Sequence, residues 1–148
     1  MRTPILALTF FAACVTQRAK PEQTAFGNWR VTGSICPTEC AISRADADAW
    51  RGRTATYESA VARFADNSCK GPRYNVDYWP ATGLYGGARL AELGITADSV
   101  LVIDLECPAQ PRTGSDPRWQ VPGSFLIVKN RDHLLAVWEG VFFELTRQ

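Results

Sequence analysis

Short segments of alternating apolar and polar residues recur along this chain, and they constrain its fold more than any other feature. Between residues 26 and 35 the positions on one face are apolar or small: Trp29, Val31, Gly33 and Ile35. The same period of two returns over residues 100–107 and 141–147. That period is typical of strands that bury one face, so the sequence predicts an all-β domain.

Further strands are predicted from turn residues and apolar runs at 54–58, 61–65, 74–79, 124–129 and 133–139. Ser43 is positioned to cap a short helix that ends before Gly52, and residues 88–93 read as one or two helical turns stopped by Gly94. The prediction is an antiparallel barrel of seven or eight strands with one or two short helices. A sandwich is the alternative.

The first thirteen residues have the pattern of a secretory signal peptide. Arg2 is followed by an apolar block from Thr3 to Ala13 without a charge, which is too short for a transmembrane helix of about 20 residues but suits a signal h-region. We therefore predict a signal peptide over residues 1–13, a polar N-terminal tether over 14–25 and a single β-barrel domain over 26–148.

Residues 11–14, Phe-Ala-Ala-Cys, resemble the lipobox of bacterial lipoproteins, in which small residues precede a cysteine that is lipidated and becomes the new N-terminus. The resemblance implies lipidation of Cys14 and a membrane contact through that anchor. The alternative is ordinary cleavage nearby, with Cys14 removed or left free. In the lipoprotein family, an aspartate directly after the lipidated cysteine resembles a signal for retention in the inner membrane. This chain has Val15 at that position. The resemblance therefore implies a location in the bacterial cell envelope, with the protein anchored in the outer membrane and facing the periplasm.

The cysteine count agrees with this prediction, because lipidation of Cys14 leaves an even number of thiols in an exported chain. The remaining four cysteines are Cys36, Cys40, Cys69 and Cys107. They allow three disulfide pairings, of which a local Cys36 to Cys40 bridge and a wide Cys69 to Cys107 bridge are favoured. A four-cysteine zinc site is the disfavoured alternative, because the spacing does not match structural zinc sites. We predict no metal and no cofactor.

Net charge excludes one class of partner. The full chain carries a formal charge of +1, which falls to zero when Arg2 leaves with the signal peptide. Net neutrality argues against electrostatic capture of nucleic acid or of anionic lipid surfaces, so we expect no nucleic-acid partner.

Gly27-Asn28-Trp29 at the head of the first strand and Arg147 at the tail of the last resemble the signature of the lipocalins and the wider calycin group. In that family the tryptophan plugs one end of the barrel and an arginine from the final strand packs over it. Alternation places both side chains on the inner face here. An arginine above an indole is a favourable cation–π contact.

The sequence contains few residues that could form a catalytic site. His133 is the single histidine, and no serine lies in a nucleophile elbow. Asp104 and Glu106 share one strand face and could serve as an acid/base pair or bind calcium, but such pairs more often form the solvated face of a strand. We therefore predict no catalytic residues.

Four aromatic residues fall at predicted element ends or in loops, where a binding surface would present amphipathic side chains: Trp50, Trp79, Tyr85 and Trp119. The alternative is that these residues cover the ends of the barrel.

Together these features predict a non-enzymatic cell-envelope lipoprotein that binds a small apolar ligand or an envelope protein, with inhibition of a hydrolase as one form of such binding. Two alternatives stay open, a carboxylate-dependent envelope enzyme and a structural envelope protein without a pocket.

Overall fold

A computed structural model describes residues 19–80, 82–85, 88–108 and 119–148, with only the backbone of residues 84 and 85. The predicted signal peptide, Cys14 and the side chain of Tyr85 lie outside the described residues. Within them the chain is all-β and antiparallel, which confirms the predicted class. No helix in the described ranges is long and apolar enough to cross a membrane.

The elements follow one another with short connections. The strands are β1 (Gly27–Ile35), β2 (Thr54–Tyr57), β3 (Val61–Phe64), β4 (Asn67–Lys70), β5 (Arg73–Pro80), β6 (Leu84–Tyr85), β7 (Ala88–Arg89), β8 (Ser99–Glu106), β9 (Phe125–Asn130), β10 (His133–Trp138) and β11 (Val141–Arg147). The helices are α1 (Arg44–Asp48) and two 3₁₀ helices, η1 (Pro21–Ala25) and η2 (Leu90–Leu93).

Nine strands form one curled antiparallel sheet, a half-barrel, in the order β4-β3-β2-β1-β11-β10-β9-β8-β5. Every neighbour in this order is also a neighbour along the chain, apart from the β6–β7 hairpin inserted before β8 and the pairing of the first strand with the last. The arrangement is an up-and-down meander in one continuous sheet, so the sandwich alternative is not supported.

The two edges of the sheet come together at one corner. Edge strand β4 and edge strand β5 are separated by Gly71 and Pro72 alone. A disulfide joins Cys69 of edge strand β4 to Cys107, which follows β8, the neighbour of edge strand β5. Backbone continuity and a covalent bridge therefore hold the sheet in its curled shape where no hydrogen-bond ladder does.

The main sheet has nine strands instead of seven or eight because the sequence analysis missed β4. Residues 66–68 were predicted to be a turn, since Asp, Asn and Ser favour turns. The turn is shorter, at Ala65 and Asp66, with Ala65 at φ 50°. Asn67 and Ser68 pair with Phe64 and Arg63 of β3 instead.

A bulge in β1 changes which residues face the interior. The register with β11 shifts between Val31 and Gly33, and an extra residue reverses the faces beyond it. Trp29 and Val31 belong to the inner cluster as predicted. Ile35, predicted on the same face, packs against the outer cluster.

The inner cluster fills the concave side of the sheet with large side chains. Its biggest fully buried members are aromatic: Trp29, Tyr57, Phe64, Trp119 and Phe143. Rings of this size leave little interior space, and each buries roughly 150 to 250 Å². The concave side is therefore a packed hydrophobic core over the described residues.

A second cluster covers the convex side of β8 to β11. The segment 88–95 supplies Ala88, Leu90, Leu93 and Ile95, and the sheet supplies Val100, Val102, Ile127, Leu135 and Phe142. The helical turns predicted over 88–93 are a two-residue strand followed by η2, which ends at Gly94 in the left-handed region. This segment gives the half-barrel hydrophobic packing on both sides.

Candidate functional site

We call one end of the half-barrel the Trp29 end; it comprises Trp29, Arg147, η1 and the β9–β10 turn. Trp29 and Arg147 face each other across the β1–β11 ladder. Trp29 is fully buried, and the Arg147 guanidinium lies 4.1 Å from the centre of its ring. The structure thus brings together the two residues on which the lipocalin resemblance was based.

Arg147 also connects three separate segments through backbone carbonyls. Nη1 donates to Phe26 O at 2.8 Å, Nη2 to Thr24 O at 2.9 Å and Nε to Arg131 O at 2.9 Å. Asp132 lies 3.7 Å from Nε. Hydrogen bonds from a charged donor are among the stronger ones in proteins, so one side chain fixes η1 and the β9–β10 turn to the last strand.

Gly27 makes room for that side chain. Its φ is +129°, and a Cβ added there would lie 2.6 Å from Arg147 Nη1. Both the backbone conformation and the close approach require glycine. The Gly-x-Trp motif is therefore coupled to the arginine at the other end of the chain.

The segment predicted to be a tether is partly structured at this end. Within it η1 packs under the sheet, and Ala25 O accepts a 2.8 Å hydrogen bond from the indole of Trp29. Phe26 contacts the ring of Tyr74 in β5 at 5.3 Å. Pro21 to Ala25 of that segment therefore form part of the folded domain.

Two phenols add rigidity close to this end, Tyr57 fully buried and Tyr74 half-buried. Tyr57 donates to Gly123 O at 3.0 Å, and Tyr74 donates to Glu58 O at 2.8 Å. Burial raises the pKa of both phenols above the ordinary value. Neither phenol gains a catalytic partner, so the shifts reflect packing of neutral hydroxyl groups.

We call the opposite end the α1 end; it comprises α1, the Cys36–Cys40 loop and the β10–β11 turn. The Ser43 hydroxyl accepts a hydrogen bond from Asp46 N at 3.1 Å, which is the predicted N-cap. The Cys36–Cys40 bridge closes a five-residue loop. Ala41 N donates to Glu139 O at 3.1 Å, which joins this loop to the β10–β11 turn.

A pocket of about 540 Å³ opens between α1 and the disulfide loop. Its floor includes Ile42, Ala47 and Val141, and its rim carries Arg44, Asp48 and Arg51. Arg51 is engaged, since it donates to Thr32 O at 2.7 Å and lies 3.9 Å from Asp48. No sequence motif indicated this pocket, because segments distant along the chain form it.

The structure does not collect the four predicted surface aromatics into one face. Trp119 is 1% exposed and belongs to the inner cluster. Trp50 is half-buried against Phe64 and Phe143, while Trp79 is half-buried against Phe125. The side chain of Tyr85 lies outside the described residues.

Tyr78 is the large apolar side chain that the described part of the chain does expose, at 61%. The sequence analysis passed over it because it lies within a strand. It is exposed because β5 is an edge strand that pairs with β8 alone.

The candidate acidic pair lies on the convex face of the sheet. Glu106 accepts a hydrogen bond from Asn75 at 3.0 Å and lies 3.7 Å from Arg73. Asp104 is two residues away on β8, opposite Asn75 of β5 and Phe125 of β9. His133 is exposed at the start of β10, far from both carboxylates along the sheet.

The cysteines lie in two pairs at disulfide distance, Cys36 with Cys40 and Cys69 with Cys107. The first pair is exposed or half-buried and the second is buried. Among the described residues there is no group of three or more His, Cys, Asp or Glu side chains that could hold a metal ion.

Comparisons with protein-family models, with curated proteins and with solved structures found no match to this chain.

Proposed function

We propose that this protein is a non-enzymatic cell-envelope lipoprotein with a lipocalin-like barrel, and that it binds a protein partner at its α1 end. The proposal combines the predicted anchor at Cys14 with the geometry of the two ends of the half-barrel.

The lipocalin-like part of the proposal is supported by three features. Arg147 stacks on Trp29, a 3₁₀ helix leads into β1, and the first strand of the meander pairs with the last. The corner at Gly71 and Pro72 brings the free edges together, as an up-and-down barrel requires.

The packed interior is the observation that distinguishes between a small apolar ligand and a protein partner. Lipocalin-like barrels that bind small apolar molecules need an interior cavity. Here Trp119, Tyr57, Phe64 and Phe143 fill the concave side. We therefore favour a protein partner over a small apolar ligand, because a partner can bind to the surface of the domain without entering its filled interior.

The α1 end is the face that we assign to the partner. The chain enters the domain at the Trp29 end through Ala19 and η1, so an anchor at Cys14 holds that end near the lipid. The α1 end then points away from the membrane. Its pocket combines an apolar floor with a charged rim, the composition expected of a protein interface.

The carboxylate-dependent enzyme gains no specific support. Glu106 is engaged with Asn75 and Arg73 on the convex face of the sheet. The structural envelope protein remains the second candidate, because a packed interior is what that hypothesis predicted.

The anchor is tested by mass spectrometry of the mature N-terminus. A diacyl or triacyl mass on Cys14 supports the lipoprotein proposal. A plain peptide that begins at another residue contradicts it.

The partner is tested by photo-cross-linking in intact cells. A photoreactive amino acid replaces Arg44 at the α1 end and, as the matched control, the exposed Arg63 on β3. We expect one reproducible cross-linked species from position 44 and none from position 63. The absence of any product from either position would favour the structural protein.

A further inference from the structure

A groove of about 440 Å³ lies at the Trp29 end, between η1 and the β9–β10 turn. Lys20, Arg131 and Arg147 line it together with Thr24 and Phe26, and no aspartate or glutamate is among its lining residues. It is thus a concave site with cations on both walls.

Two of these three cations have no counter-charge among the described residues. Arg147 uses its donors on backbone carbonyls and lies near Asp132. The side chains of Lys20 and Arg131 are exposed and make no hydrogen bond or ion pair with any described residue. Unpaired cations around a groove attract a compact anion such as a phosphate group, which accepts several hydrogen bonds at once.

The position of the groove relative to the predicted anchor identifies the anion. Ala19, a lining residue of the groove, is five residues after Cys14. Five residues span at most about 18 Å when fully extended. An acyl chain on Cys14 therefore holds the groove within reach of lipid headgroups.

We propose that the groove at the Trp29 end binds the phosphate of an anionic lipid headgroup, so that this end docks on the membrane surface. Lys20 and Arg131 supply the free charge, and Arg147 supplies a fixed positive wall. Net neutrality of the mature chain concealed this site, because the charge is local. The choice of a lipid phosphate rests on the proposed anchor at Cys14, but not on the protein partner at the α1 end.

The test is vesicle co-sedimentation of the mature chain carrying Cys14→Ser, so that no acyl chain contributes to binding. The vesicles contain phosphatidylglycerol and phosphatidylcholine in equal parts, with pure phosphatidylcholine as the reference. Each basic residue near an anionic surface is worth about fivefold in affinity. Lys20→Gln with Arg131→Gln should therefore weaken binding by about 25-fold.

The matched control is Arg44→Gln with Arg63→Gln, which removes the same charge from two exposed cations outside the groove. It should leave binding close to that of the parent. Equal losses from the two double variants, or no binding of the parent to the anionic vesicles, would overturn the proposal. Thermal melting of both double variants verifies that they fold.

Inorganic phosphate tests whether the groove itself holds the phosphate. It should release the chain from the vesicles more strongly than sodium chloride of equal ionic strength, because it competes for the groove. Equal release by the two salts would show screening of charge alone and would overturn the proposal, and binding of inorganic phosphate by a parent that does not bind the vesicles would assign the groove to free phosphate instead.

Discussion

The two ends of the half-barrel are built in opposite ways. At the Trp29 end one arginine from the last strand reaches three backbone carbonyls and covers a buried indole. At the α1 end a five-residue helix and a small disulfide loop surround an open pocket. The difference teaches that the Trp29 end is held by long-range side-chain contacts and the α1 end by local structure, so each end can be altered without the other.

The largest effect on stability should come from removing the buried indole of Trp29. Trp29→Ala should lower the free energy of unfolding by about 5 kcal/mol, the upper part of the range for such truncations, because the cavity is accompanied by loss of the hydrogen bond to Ala25 O. Urea unfolding measures it. Trp138→Ala, a half-buried tryptophan at the α1 end, should cost clearly less; an equal cost would remove the contrast between the ends.

The two disulfides should also differ in how much stability is lost when each is removed, with the larger loss for the Cys69–Cys107 bridge. Replacing Cys69 and Cys107 with alanine opens a wide loop and should cost about 4 kcal/mol on the chain-entropy estimate, whereas replacing Cys36 and Cys40 should cost about 2 kcal/mol. Guanidinium unfolding of the two double variants gives both values. The comparison fails if the small loop at the α1 end proves the costlier one to open.

Arg147→Met keeps the apolar stem and removes the guanidinium. We expect a loss of about 2 kcal/mol, since hydrogen bonds from a charged donor are worth about 1.5 to 3 kcal/mol each and partial exposure of the side chain, 27%, weakens them. Arg147→Lys should recover part of the loss, because a lysine keeps the charge but not the three-way geometry. Full recovery by lysine would show that charge alone matters.

Alkaline pH should loosen the core of the Trp29 end. The folded protein raises the pKa of Tyr57 and Tyr74, so above the unfolded value of about 10 the unfolded chain releases protons that the native state retains. Stability is complete below that pH and falls as the pH rises. Melting temperatures measured between about pH 8 and pH 11 should decline less for Tyr74→Phe than for the parent. An equal decline would show that Tyr74 contributes nothing to the loss of stability.

The smallest effect should come from the cap of α1. Ser43→Ala removes the hydroxyl that accepts from Asp46 N and should cost about 0.5 kcal/mol, at the low end for N-caps because the helix has a single turn. Ser43→Asp, which preserves an acceptor, should restore stability in the same melting experiment. A cost comparable to that of Trp29→Ala would mean that α1 supports the whole fold.

The alternation of apolar and polar residues predicted most strands of the sheet, because it reflects which side chains are buried. β11 and β8 were located within a residue of their observed bounds, since their inner faces carry large apolar side chains such as Phe143 and Leu105. β4 was missed because Asn67, Ser68 and Lys70 have low strand preference. Pairing with β3 and the bridge at Cys69 hold it in the sheet instead.

The candidate sites were harder to predict than the strands. The pairing of Trp29 with Arg147 could be anticipated because both ends of the chain carried a signal. The two concave sites could not, since each depends on segments brought together by the fold. Trp119 was predicted at a surface from its place in a proline-rich connection, but its indole completes the core.

The pairing of β1 with β11 has a consequence for the order in which the molecule can be made. Trp29 receives its cover from a residue near the very end of the chain. Until β11 has docked, β1 lacks one neighbour and the indole is not covered. Contacts between residues so distant along the chain form slowly. Completion of the core around Trp29 therefore waits for a long-range step of folding and cannot be a local event.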